Sequence, residues 1–441
     1  MNDETVELRR AIEALRAGVP NRDVVRHIEP AQADLIERFD RMLETAQSGW
    51  RDEKIAPGML IEGDFGSGKS HWLEFFQHAA LESAFICSTV TLNKETPLHD
   101  LGKLFRASVE SAMAPGKRGP ALSEIAHTYD PASAPGFRDL SEWTLSTPGL
   151  DPRFRATLLV FERTRDPDLR QQILDEWTGN PMRVPDLKAA LKGIGERTSY
   201  SITRPLKGTL LQRFQFLTRF FISAGYNGWA LLIDETELVS RYSLRQRARA
   251  YAHLAQLLGL VKEAAVPGMA SVFTITKDYA GQVLYGRKHD VANIPARLQG
   301  TRQEEYIAAA ETGMKAIQSR GLGLRPPTRD QVMEIYQKVR SLYSRAYGWG
   351  APELTDRREY SSTTSLRQHI RSWITLWDLK RLYNYEAHTI YETVVQSYEE
   401  DPDLQRETPD TPDSTTAEDL YSPPRETRPA PRGDDGPVRS L

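Results

Sequence analysis

Eight consecutive residues, Gly63-Asp64-Phe65-Gly66-Ser67-Gly68-Lys69-Ser70, match G-x-x-x-x-G-K-[ST] at every fixed position. Glycines at these places let backbone N–H groups turn inward and approach an anion with no Cβ in the way. A helix starting after the loop adds its positive N-terminal end. In such a loop Lys69 reaches the β- and γ-phosphates of a nucleotide, and the Ser70 hydroxyl ligates Mg²⁺. His71 follows on the first helical turn and counts with Gly63 to Ser70 among the nucleotide-binding residues; Trp72 beside it reads as core packing.

A phosphate loop alone does not separate kinases, GTPases and mechanical ATPases. The run "WALLIDE" (229–235) is an apolar strand ending in Asp234-Glu235. A buried strand delivers Asp234 beside the loop, where its carboxylate holds Mg²⁺ through water. Glu235 is then placed to polarise an attacking water as general base, a role contributing about 10²–10⁴ in rate. No N-K-x-D guanine motif is present, so the predicted reaction is Mg²⁺-dependent ATP hydrolysis. In ATPases of this layout a polar residue ending the next strand senses the γ-phosphate. In "SVFTITKD" Thr276 is the first choice and Thr274 the second, both on one face by period-2 alternation. An arginine that steadies transition-state charge is sought among Arg245, Arg249, Arg297 and Arg367, with Arg367 preferred because it opens a C-terminal helix.

The elements that position these groups follow from periodicity. "MLIEG" (59–63) is a short buried strand feeding the loop, and "HWLEFFQHAAL" is the helix leaving it. Further strands are expected at 83–92, 228–237 and 269–278, and helices at 4–17, 30–47, 101–113, 243–265, 326–347 and 365–395. "FQFLTRFF" reads as a core stripe. Between about 115 and 205 the texture turns to "APGKRGP", "DPASAPGF" and "STPGLDP" around short helical patterns, a helical insertion. The expected division is an N-terminal helical segment at 1–50, an ATPase core at 51–310, and a C-terminal helical, lid-like or winged-helix-like subdomain at 311–400. A tail at 401–441 has little to bury and is expected to be disordered.

Composition excludes several classes. There is no run of 18 apolar residues and no apolar leader, and the single Cys87 rules out an internal disulfide, so a cytoplasmic, non-membrane protein is expected. A net charge of −3 gives no global footprint for nucleic acid. The nine histidines make no HExxH or Cys/His cluster, which argues against a zinc site.

The loop, "LLIDETE" and the C-terminal helical segment together resemble the AAA+ branch of P-loop ATPases, close to origin-recognition and STAND-type proteins. The implied fold class is an α/β, P-loop NTPase core of AAA+/ASCE type, a parallel sheet with a helical insertion and a C-terminal lid. "AIEALRAGVPNRDVVRHI", "EGDFGSGKSHWLEFF", "VTLNKETPLHDLGKLFRASVESA" and "LLIDETELVS" are similar, more closely, to the ATP-binding proteins of BREX-type phage-defence systems (BrxD). That resemblance implies a bacterial defence ATPase acting with other BREX proteins, including a methyltransferase and a phosphatase-like protein. It couples ATP to complex assembly or DNA surveillance, with residues between Ala17 and Ile28 near the adenine. Double-stranded DNA and a second copy of the chain stay open as partners. Two other readings stand beside this one: a nucleotide-gated switch or scaffold with little turnover, and an initiator- or loader-like DNA-binding ATPase.

Overall fold

Five short aliphatic strands form one sheet in the order β2-β3-β4-β1-β5, with every neighbouring pair parallel. They are β1 (Met59–Glu62), β2 (Ile86–Thr91), β3 (Trp229–Asp234), β4 (Met269–Ile275) and β5 (Gly321–Gly323). The computed structural model describes residues 3–18, 21–28, 30, 32–198, 200–202, 210–354, 366–386 and 401. The expected disordered tail from 402 onward, and the stretch 387–395 of the last expected helix, lie outside the described residues.

A parallel sheet is buried on both faces by its crossover helices, and strand alternation shows it here. Leu231 and Ile233 face one core, shared with α5 (Leu101–Glu110), α11 (Leu210–Ser223), α12 (Leu244–Leu257) and α14 (Ile307–Ser319). Ala230 and Leu232 face the other, shared with α3 (Ala33–Gly49) and α4 (Lys69–Glu82). Phe214, Phe216, Phe220 and Phe221 of the aromatic stripe are all fully buried in the first core. Register fixes the functional edge: Glu62 pairs with Ile275 and Ile233 with Phe273, so the chain leaves β1, β3 and β4 at one level. Ligands of open parallel sheets bind at this carboxyl edge.

Among the described residues the insertion carries five helices, α6 (Ala121–Thr128), α7 (Phe137–Ser146), α8 (Pro152–Arg163), α9 (Pro167–Thr178) and α10 (Val184–Gly193). It is bolted to α11 through a buried carboxylate. Glu176 receives Arg153 Nε at 3.1 Å and the Met182 N–H at 2.7 Å, while its main-chain oxygen accepts from Arg213 Nη1 at 2.7 Å.

Past β4 come α13 (Asp290–Leu298), α14 and β5, then α15 (Arg329–Tyr347) and α16 (Leu366–Tyr383). A separate core joins α1 (Asp3–Ala17) and α2 (Arg22–Val25) to α15 and α16, through Leu8, Ile12 and Ile28 against Tyr336, Tyr343, Trp373 and Trp377. Arg16 Nη2 adds a 2.8 Å ion pair to Asp378. The boundaries expected at 50 and 310 cut across this packing. Residue 310 falls inside α14, β5 beyond it belongs to the sheet, and the first two helices share a core with the last two. The helix expected over 243–265 is shorter than its apolar pattern. It stops at Leu257, and Gly259 then takes φ +68°, a left-handed turn that ends an α-helix.

Candidate nucleotide site

The phosphate loop joins β1 to α4 in the strand–loop–helix order its motif needs. Gly66 and Gly68 take φ of 78° and 100°, a region closed to most side chains. Gly68 is also the N-cap of α4, and no side chain caps that helix start, so its first-turn N–H groups face the loop's concavity. Asp64 turns the loop by accepting the Ser67 N–H at 3.1 Å. Ser67 Oγ is buried with no hydrogen-bond partner among the described residues. These features fit a bound phosphate.

Lys69 is 8% exposed and reaches back along the loop. Its Nζ donates to the Gly63 carbonyl at 3.0 Å and the Asp64 carbonyl at 3.4 Å, and lies 3.6 Å from Glu237 Oε1. Next to it Ser70 Oγ donates to Asp234 Oδ2 at 2.7 Å, bringing the two expected Mg²⁺ ligands into contact. A hydroxyl and a carboxylate are the hard oxygen donors Mg²⁺ takes. The other Asp234 oxygen accepts from Thr274 Oγ1 and from the Glu235 N–H at 2.9 Å. Thr274, the second choice, is thus the β4 threonine bonded to the acidic strand. Thr276, the first choice, is buried one residue past β4, its carbonyl accepting the Tyr279 N–H at 3.2 Å.

Glu235 takes φ +64°, in the left-handed region where a residue with a Cβ is strained. Burial, and after it the neighbouring Asp234, push its carboxyl up from the ordinary range; Lys69, Arg367 and Arg241 pull the other way. Glu237 was missed by sequence reasoning. It sits on the 3-10 turn (Thr236–Arg241) that follows the left-handed Glu235, close enough to feel both Lys69 and Asp234. The signal was the third acidic residue of "DETE", legible only once that turn is known. Burial pushes the Glu237 carboxyl up as well, against the pull of Lys69.

A cavity of about 330 Å³ opens beside the loop, in the size range of small-molecule sites. Its floor is Gly66, Ser67, Gly68, His71 and Trp72; Leu15, Gly18, Val24 and Ile28 form one wall; Thr328, Ile335, Leu366, Arg367 and Ile370 form the other. His71 stitches floor to wall. Burial lowers its pKa, so the imidazole is neutral, and Nε2 donates to the Ile28 carbonyl at 2.8 Å. Arg367 lies across the mouth, its guanidinium carbon 5.8 Å from the Phe65 ring centre and its charge felt by Glu235. Phe65 itself is 50% exposed. Arg245 and Arg297 are exposed away from the cavity, and Arg249 does not line it. Arg325 does line it and was overlooked, although the capping box Thr328–Gln331 just after it marks the start of α15.

No group of three or more His, Cys, Asp or Glu side chains among the described residues is arranged to hold a metal by itself, and no described helix is long and apolar enough to cross a membrane. No curated protein and no solved structure gives a significant match to the chain. A profile of the family described as BREX system ATP-binding protein BrxC/D matches residues 5–129 and 206–371. Those stretches contain the phosphate loop, Asp234, Glu235, Glu237 and every residue lining the cavity, and leave out most of the insertion. The chain belongs to the family of BREX system ATP-binding proteins BrxC/D.

Proposed function

We propose that the protein is a Mg²⁺-dependent ATPase of AAA+ type that serves a BREX phage-defence assembly, coupling ATP to complex assembly or DNA surveillance. The observation that carries the reading is the hydrogen-bonded series Ser70–Asp234–Thr274 at the sheet's carboxyl edge, directly beside the glycine loop. Support for the AAA+ assignment comes from strand order, in which β4 separates the loop strand from the acidic strand, and from the C-terminal helices that wall the cavity. Loop N–H groups and Lys69 bind the phosphates, and the apolar cavity between α1–α2 and α15–α16 takes the adenine. Ser70 and Asp234 would hold Mg²⁺, which when bound neutralises phosphate charge. Glu235 accepts the proton of the attacking water at a carboxylate oxygen, and its raised proton affinity favours that step. Arg367, supplied from the lid-like side, steadies charge on the phosphates. Other BREX proteins, double-stranded DNA and a second copy of the chain are the proposed partners.

One observation bears on the switch reading: Lys69 is engaged by Glu237, so the loop's cation is given up to phosphate only when that contact breaks. Hydrolysis by the purified protein and by Glu235→Gln, each with and without double-stranded DNA, decides between them. DNA-stimulated hydrolysis removed by the substitution supports a coupled motor or loader. ATP binding with no appreciable turnover under any condition supports a switch.

A further inference from the structure

We propose that Glu237 is a competitor built into the phosphate site: its carboxylate holds the ammonium of Lys69 that a nucleotide's phosphates must take over, so it weakens binding of phosphorylated nucleotides and speeds their release. This rests on the reading of the loop as a nucleotide site and adds a residue that the hydrolytic step does not use.

The geometry sets Glu237 apart from a structural counter-ion. It is 3% exposed, and apart from the residue's own backbone N–H its carboxylate is met by Lys69 Nζ, 3.6 Å from Oε1 and so farther than a hydrogen bond. Oε2 has no hydrogen-bond partner among the described residues, nor has Thr236 Oγ1 next to it. A buried carboxylate kept for stability collects donors on both oxygens, because an unmade hydrogen bond to a buried charge is costly. Glu237 also shares its charge sign with Asp234 and Glu235. Glu235 and Glu237 therefore both feel the one lysine of the loop, so a polyphosphate must take Lys69 over in the presence of two like charges. Once phosphate oxygens hold the ammonium, Glu237 loses its cation and opposes the new anion, a penalty that favours release.

The test is isothermal titration of ATP, ADP and adenosine into the wild-type protein and Glu237→Gln, with dissociation of a fluorescent ATP analogue followed by stopped flow. The amide keeps the shape and removes the charge. Losing a like charge within a few ångströms of the phosphates in a poorly solvated site is expected to tighten ATP and ADP about tenfold, mostly through slower dissociation, and to leave adenosine unchanged. Equal or weaker ATP binding by Glu237→Gln overturns the proposal. So does equal tightening of adenosine, which would mean a change in cavity shape. Glu237→Met carries the same test if the amide variant does not fold, and unfolding of both would make Glu237 a structural residue. Wild-type protein that binds none of the three ligands would instead remove the nucleotide reading, and this inference with it.

Discussion

Two buried ion pairs, Arg247–Asp290 and Lys69–Glu237, are built differently. In Arg247–Asp290 both oxygens of the carboxylate are taken, by Arg247 Nε and Nη2 at 2.7 Å each, and Tyr251 OH adds a further bond at 2.8 Å. Tyr279 OH lies 2.9 Å from Tyr251 OH, and the remaining arm of Arg247 donates to the Tyr242 carbonyl at 2.6 Å. Asp290 is fully buried and its network is closed. Lys69–Glu237 is nearly as buried but open: one long contact, one oxygen with no partner among the described residues, and hydroxyls of Ser67 and Thr236 in the same condition. The closed pair ties α12, α13 and the turn after Thr276 into one body. The open pair sits where a ligand's charge is due. Of these two pairs, the satisfied one holds the fold and the unsatisfied one lies beside the phosphate loop.

That contrast can be broken most strongly at Asp290. Asp290→Ala leaves the Arg247 guanidinium buried without its carboxylate, and the expected loss of stability is about 3–5 kcal/mol, read from urea unfolding. A loss below about 1 kcal/mol would show the closed network to be dispensable. Lys69→Ala comes next. It should abolish ATP binding in a direct titration while the chain stays folded by circular dichroism, because Glu237, whose carboxyl burial already pushes up, neutralises itself by taking a proton once its cation is gone. Glu235→Gln sharpens the site side of the comparison. ATP binding persists, and hydrolysis falls by about 10²–10⁴ if the general-base role is right; wild-type turnover would reassign the base.

The smallest expected effect concerns pH, on the closed side. His253 of α12 is held neutral by burial, its Nδ1 donating to the Leu98 carbonyl at 2.8 Å, and its pKa lies below the ordinary 6.5. The unfolded chain then binds the proton more readily than the folded one. Stability from this residue is complete above pH 6.5 and is lost as pH falls below it, by up to about 1.4 kcal/mol per pH unit. His253→Gln should flatten that part of the stability–pH profile, measured as melting temperature between pH 5 and 7.5; an unchanged slope would assign it to other groups.

What was legible beforehand follows from how local each feature is. The phosphate loop could be read because its chemistry demands fixed residue types at adjacent positions. Asp234 and Ser70 followed, since a buried strand and a helix start leave little choice of placement. β5 was invisible: Gly321-Leu322-Gly323 has neither the length nor the β-branched residues of a strand and exists only by pairing with β1. Helical periodicity in α1 showed an apolar face but not its neighbour, which is some 320 residues further along the chain. Glu237 and the Arg247–Asp290 pair needed a turn and a tertiary contact respectively. Of the arginines weighed, Arg245 and Arg249 flank Arg247 on α12, and the buried one between them is the one that carries the network.

The shared core of the first and last helices also sets a schedule for synthesis. Leu15, Val24 and Ile28 leave the ribosome roughly 340 residues ahead of the facing wall, Leu366, Arg367 and Ile370. At about 5–20 residues per second the first wall waits on the order of 20–70 s for its counterpart. During that interval a nascent chain can carry a finished phosphate loop and still lack the enclosed cavity beside it. Products truncated or stalled before residue 366 therefore cannot close the cavity.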